Sequence, residues 1–381
     1  MKHEERSVMK VDRFLLLILL MIGSSVGASA AEPLATTIDR LAQPYIEAEL
    51  VVGMTVGAIH GNVQAIRGFG RFSQDDSRTP DGKTTYEIGS VSKVFTGLLL
   101  ADAVVKGSVT LDTAAAAVLP RDMTMPSKGD KPITLQHLAT HTSGLPRLPS
   151  NLHSNTPSDP YAEYSSKKLA TFLSSHRLDR QPGEKFEYSN LGTGILGLLL
   201  AERAKTNYET LLIDRITQPL AMEDTLLTLT DDQRSRLAPP HNGVGITDHN
   251  WHFDTLAGAG AIRSTMVDML RFAKVQLDPP QDEFGRAIEL AWQVHQQPIE
   301  SIDFAMGLGW HVARDGATRW HNGQTGGYHA AIFVNRPLQV AVVVLTNTAT
   351  REVDGLAEDL VRKLAGQDVQ PREFEKQSDV P

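Results

Sequence analysis

Apolar residues recur at helical spacing from Ile38 to Leu50, and two extended runs follow, Val51 to Ile59 and Val63 to Phe69, separated by the turn sequence His60-Gly61-Asn62. The pattern predicts an amphipathic helix leading into a β-hairpin. A second pair of apolar runs, Tyr328 to Val334 and Val340 to Thr346, flanks Asn335-Arg336-Pro337 and predicts another hairpin, with Val353 to Leu364 as a closing amphipathic helix. The long stretch between these ends has the 3.6-residue period instead: Lys93 to Lys106 stops at Gly107, and Leu135 to Thr140, Leu191 to Ala204 and Met266 to Val275 follow. The predicted fold is therefore α+β. An antiparallel sheet built from N- and C-terminal strands, over about 36–80 and 300–366, is flanked by helices, and a mainly helical region over about 85–290 is inserted between them. The cleft between the two parts is the expected site.

Ahead of this pattern, Lys2, Lys10 and Arg13 precede the apolar run Phe14 to Ile22 and then Ala28-Ser29-Ala30. A basic start, a short apolar stretch and a small-residue exit read as a signal peptide over 1–30, cleaved near Ala30, and an exported, periplasmic or extracellular protein. The run is about half the ~20 residues that a spanning helix needs, so no membrane span is expected in the mature form. Residues 31–381 contain no linker, repeat or long charge run and read as one body. The formal net charge of -8 disfavours nucleic acid, whose phosphates call for clustered Lys and Arg. The absence of cysteine removes disulfides, thiolate zinc sites and a cysteine nucleophile, which leaves seryl, carboxylate or histidine chemistry. The histidine-rich stretch Asp248-His249-Asn250-Trp251-His252 lacks a third ligand at zinc spacing, and Gly258-Ala259-Gly260 lacks the context of a phosphate loop. No metal and no cofactor is expected.

The stretch Glu87-Ile88-Gly89-Ser90-Val91-Ser92-Lys93 carries candidate chemistry. Ser90 and Lys93 stand three apart, which on a helix puts both side chains on one face. A serine hydroxyl needs a base, and a desolvated lysine whose pKa has fallen can serve. The same spacing at Ser165-Ser166-Lys167-Lys168 reads only as a helix start. What distinguishes Ser90 is the apolar segment behind it, Phe95, Leu98, Leu99 and Leu100, which would bury Lys93.

This motif, with Leu138-Ala139-Thr140-His141-Thr142-Ser143-Gly144-Leu145-Pro146, resembles the class C β-lactamases, the related DD-peptidases and the family VIII esterases. The resemblance extends from about residue 36 to 365 and includes Pro219-Leu220-Ala221-Met222 and the Gly-rich Ala257 to Arg263. It implies a penicillin-binding-protein fold and a serine hydrolase that works through an acyl-enzyme on β-lactams or D-Ala-type peptidoglycan peptides. A carboxylesterase of small esters is one alternative, and a penicillin-binding sensor without turnover is another.

The resemblance also implies further site residues. Its Tyr-x-Asn motif matches Tyr188-Ser189-Asn190, which makes Tyr188 a catalytic candidate with a pKa lowered by Lys93, and Asn190 a donor to the substrate carbonyl or to Lys93. Its third element, a Lys-Thr-Gly or His-x-Gly triplet on a cleft strand, matches His321-Asn322-Gly323 rather than His241-Asn242-Gly243. His321, Asn322, Gly323 and Gln324 are then substrate-binding candidates, and the Ser90 and Gln324 amides form the oxyanion hole. His321 replaces a lysine used by many β-lactamases, so carboxylate recognition is expected to weaken as histidine loses its charge at alkaline pH.

Overall fold

A computed structural model describes residues 32–299 and 302–376 of the 381-residue chain; the expected signal segment lies outside the described residues. The chain enters through α1 (Leu34–Glu47) and forms a hairpin, β1 (Gly53–His60) and β2 (Val63–Gly70), whose His60↔Val63 pair closes on Gly61-Asn62. A short strand β3 (Thr85–Glu87) and a one-turn 3₁₀ segment (Gly89–Val91) lead into α2 (Ser92–Val105).

The helical part follows. It comprises α3 (Leu135–Ala139), α4 (Ser166–Ser175), α5 (Asn190–Ala204), α6 (Tyr208–Leu212) and α7 (Asp231–Ser235), then a short β4 (Arg263–Thr265) paired with β3, then α8 (Met266–Leu277) and α9 (Glu283–Trp292). The chain returns to the sheet as β5 (Ala305–Met306), β6 (His311–Val312), β7 (Thr318–Gln324), β8 (His329–Asn335) and β9 (Val340–Thr346), and ends in α10 (Glu352–Leu364).

Among the described residues the main sheet has seven strands in the order β2-β1-β9-β8-β7-β6-β5, all neighbours antiparallel. The α+β architecture expected from the apolar pattern is the one observed. The N-terminal hairpin pairs with the last strand, Met54↔Thr346 through His60↔Val340, so chain ends almost 300 residues apart in sequence share one ladder.

Strand alternation explains why this sheet is covered on both faces. On β9, Val340, Val342 and Val344 join α1 and α10 in one core, whereas Ala341, Val343 and Leu345 join α2 and α8 in the other. A strand buried on both sides reads as a continuous apolar run rather than as alternation, which is why Val340 to Thr346 stood out in the sequence. Along the edge strand β2 only Phe69 is buried.

The central helix α2 is buried along nearly its whole length. Gly97 lets it lie against the backbone before β6, since a Cβ there would sit 2.0 Å from the Leu308 carbonyl oxygen. Thr96 Oγ1 donates to the Gly258 carbonyl at 2.8 Å and meets the Tyr208 hydroxyl at 2.7 Å, which fixes the Gly-rich turn and α6 on this helix. Truncating Leu345, fully buried on the inner face, should lower unfolding free energy by ~2–5 kcal/mol, because the packed sheet cannot collapse into the cavity. Urea unfolding of Leu345→Ala followed by circular dichroism measures it.

Candidate active site

Ser90 lies in the 3₁₀ turn where β3 becomes α2. Two glycines allow this turn to press on β7. Gly89 has φ +49°, and a Cβ there would lie 2.7 Å from the Gln324 amide nitrogen. A Cβ on Gly323 would meet the Ile88 carbonyl oxygen at 2.1 Å and the Ser90 amide nitrogen at 2.6 Å. These side-chain-free contacts press the Ser90 turn against the Gly323-Gln324 backbone of β7.

One turn into the helix, Lys93 Nζ is 2.9 Å from Ser90 Oγ and donates to the Ala259 carbonyl oxygen at 2.6 Å. Lys93 is 1% exposed, and no carboxylate contacts it among the described residues. Burial, and secondarily the positive charge of Arg147, push its ammonium well below the ordinary lysine range. The shift favours the free amine, the form that can accept a proton from the Ser90 hydroxyl. The Gly-rich turn that the sequence left without chemistry is the structure that holds this amine.

Tyr188 stands over the pair, with Lys93 Nζ 4.9 Å and the Arg147 guanidinium carbon 5.0 Å from its ring centroid. The expectation that Lys93 lowers the phenol's pKa is not met. Burial dominates and raises it, with the Ser90 contact and Arg147 opposing only in part. Tyr188 is thus a protonated phenol.

The Leu138–Pro146 motif is what positions Tyr188. His141, buried with φ +60°, accepts the Ser189 amide at Nδ1 (3.2 Å) while its carbonyl accepts the Glu187 amide (2.8 Å). Its ring lies 4.4 Å from that of Tyr188. Sequence reasoning used this motif only as a landmark.

Asn190 and Asn322 line the cavity and also have partners within the protein. Asn190 Nδ2 donates to the Tyr161 hydroxyl at 2.9 Å rather than to Lys93. Its Oδ1 is buried without a partner in the cavity wall. Asn322 Nδ2 donates to Asp354 of α10 at 2.7 Å, and the same carboxylate holds His329, whose other ring nitrogen is 3.2 Å from Gln324 Oε1.

His321 is the largest departure. Its side chain is fully buried, Nδ1 is 2.6 Å from the Asn322 carbonyl oxygen, and its ring stacks on His311 at 4.6 Å. Burial first, then His311 and Lys93, push its pKa well below the usual value. It is neutral throughout the physiological range and is not part of the cavity wall, so it supplies no conditional charge to a substrate. Of the lookalikes, Ser165 caps α4 by accepting the Lys168 amide, and His241 is buried beside the end of β9, with Nδ1 3.0 Å from the Asn347 carbonyl oxygen.

The cavity above Ser90 has a volume of about 390 Å³. Tyr188, Asn190, Asn322, Gly323 and Gln324 line it, together with residues the sequence did not single out: Arg147, Arg351, Trp251, Phe186, Phe304, His311 and Trp320. Among the described residues neither Arg147 nor Arg351 makes an ion pair, and Arg147 is exposed.

The family model for Beta-lactamase matches residues 38–367. The chain belongs to the β-lactamase family. It is 28% identical over 376 residues to the D-alanyl-D-alanine-carboxypeptidase/endopeptidase AmpH of Escherichia coli, covering 91% of this chain and 95% of that one. It is 26% identical over 284 residues to a β-lactamase of Yersinia enterocolitica, covering 73% and 69%. Among solved structures, the β-lactamase/D-alanine carboxypeptidase from Yersinia pestis complexed with citrate superposes with a TM-score of 0.75 at 26% identity, over 87% of this chain and 97% of that one. A class C β-lactamase reaches 0.78 at 20% identity, over 88% and 97%, which supports the fold.

The family and the structure agree on a serine hydrolase of β-lactamase/DD-peptidase type. Because Lys93 is held below and Tyr188 above their ordinary ranges, the acidic limb of kcat/KM should fall well below the titration range of a free lysine. Because His321 does not titrate near neutrality, kcat/KM for a carboxylate-bearing substrate and for a neutral ester should keep a constant ratio between about pH 6 and 8. Paired pH profiles measure both; a ratio that drops through that window would restore a cationic His321.

Proposed function

We propose that this protein is an exported hydrolase that opens β-lactams or D-Ala-type peptide bonds through an acyl-enzyme on Ser90. The observation that carries the reading is the 2.9 Å approach of a buried, uncompensated Lys93 amine to the Ser90 hydroxyl. Neutral Lys93 takes the hydroxyl proton as Ser90 Oγ attacks the carbonyl carbon. The Ser90 and Gln324 amides hold the oxyanion. As the tetrahedral intermediate collapses, the protonated Tyr188 phenol gives its proton to the departing nitrogen or oxygen and recovers one through Lys93. Water then enters on the same atoms and releases the acyl group.

The wall chemistry supports an anionic substrate. Arg147 and Arg351 face the cavity without carboxylate partners among the described residues, and a guanidinium keeps its charge at any pH the enzyme meets. They replace the conditional histidine charge that the sequence suggested. Asn190, with its free Oδ1 beside the cavity, is suited to an N–H of the acyl part. Export is supported by the basic, apolar and small-residue layout of residues 1–30, and no helix among the described residues is long and apolar enough to cross a membrane.

Ser90→Ala should abolish covalent labelling by a fluorescent penicillin on a denaturing gel, with the circular dichroism spectrum unchanged; retained labelling would sink the reading. Arg147→Gln and Arg351→Gln should each raise KM about tenfold for a D-Ala-D-Ala peptide or nitrocefin, equivalent to ~1.4 kcal/mol. The same variants should change KM for a neutral p-nitrophenyl ester about twofold or less. Equal effects on both substrate classes would count against carboxylate binding.

A further inference from the structure

The cavity has two unlike ends, and strand β7 runs between them. Trp320 stands near the start of β7, whereas Trp251 packs against Gly326 just past its end, its Nε1 2.9 Å from where a Gly326 Cβ would sit. At ~3.3 Å of rise per residue the two tryptophans are well separated, on either side of Ser90 and Gly323. The Trp251 end belongs to Asn190: its partner Tyr161 lies 5.5 Å from the Trp251 ring.

The Trp320 end belongs to Tyr188. The Tyr188 ring is 6.4 Å from His321, which stacks at 4.6 Å on His311, which in turn meets Trp320 at 4.4 Å. Phe304 closes the group, 4.6 Å from His311, 5.9 Å from Trp320 and 5.7 Å from Phe186, two residues before Tyr188. Phe186, Phe304 and Trp320 are only half-buried and present ring surface to the cavity. Among them His311 is 5% exposed, lines the same cavity, and has no hydrogen-bond partner at either ring nitrogen. An orphaned, buried imidazole in a cavity wall is a costly group unless a ligand or water meets it. Phe186, Phe304 and Trp320, grouped with this imidazole in one cavity wall, offer ring surface to a planar ring.

We infer that Phe186, Phe304, Trp320 and His311 form a specificity subsite for a planar aromatic ring carried on the leaving group of the substrate. The assignment to the leaving group rests on the proposed role of Tyr188: the phenol that protonates the departing atom must lie next to it, and the aromatic group lines the same cavity as that phenol. Asn190 and Trp251 then face the acyl part. Carbonyl substrates of different leaving groups are thus ranked by ring burial, added to whatever Arg147 and Arg351 contribute through charge.

Phenyl acetate and hexafluoroisopropyl acetate share one acyl group and have leaving alcohols of similar acidity, so their ratio of kcat/KM reports the leaving-group subsite. The wild-type ratio should favour the phenyl ester about tenfold or more. Phe304→Ala should reduce the ratio to about twofold or less, and Phe304→Leu should leave an intermediate value. Reading a ratio within each variant cancels losses of folded or active protein, and the leucine variant keeps most of the packing volume. Hydrolysis of both esters with no aryl preference, or a preference that survives both variants, overturns the subsite. Failure of wild-type protein to hydrolyse either ester in a Ser90-dependent way instead overturns the acyl-enzyme reading, and the subsite with it.

Discussion

The site depends on keeping one amine out of water. Lys93 has no carboxylate partner among the described residues, and a buried ammonium without a counter-ion is far costlier than a buried amine. Packing therefore pulls the pKa of this ammonium down. Leu98, Leu99 and Leu100 bury α2, Gly97 brings the backbone before β6 against it, and Thr96 ties down the turn whose Ala259 carbonyl orients the amine. Any loosening that lets water reach Nζ would relieve that shift and weaken the base.

The same packing sets the character of its neighbours. Burial holds Tyr188 as a phenol and keeps His141, His311 and His321 below the ordinary histidine range. His311 is pulled down to about 3, mainly by burial. Arg147 and Arg351, without carboxylate partners among the described residues, bring positive charge to the cavity wall. On the proposed reading these guanidiniums hold the substrate, and other groups move the protons.

The sheet supplies the frame. Asn347, just after β9, accepts the Gly53 amide and donates to the Phe72 and Pro239 carbonyls, so it clamps the N-terminal hairpin and the return from the helical part onto the C-terminal strand. Asp354 of α10 grips Asn322 and His329 and, through His329, Gln324. The oxyanion-side strand is thereby fixed by the last helix of the fold, and the active site cannot be completed until both chain ends have joined the sheet.

Local sequence determined the long elements and the reacting pair. Apolar periodicity marked α1, α2, α5, α8, α10 and the two hairpins, because long amphipathic or continuously apolar runs carry their own signal; the two- and three-residue strands β3 to β6 are too short to do so. Ser90 and Lys93 were legible because their relation is a helical spacing of three, and Tyr188 because a resemblance supplied it. What the site does with charge could not be read in one dimension. Whether Lys93 is dry, whether His321 faces the cavity or the core, and whether Arg147, Arg351, Phe304 and Trp320 converge on Ser90 all depend on contacts between residues far apart in the chain. Tertiary structure decided these, because desolvation and convergence are properties of the assembled interior and not of any segment.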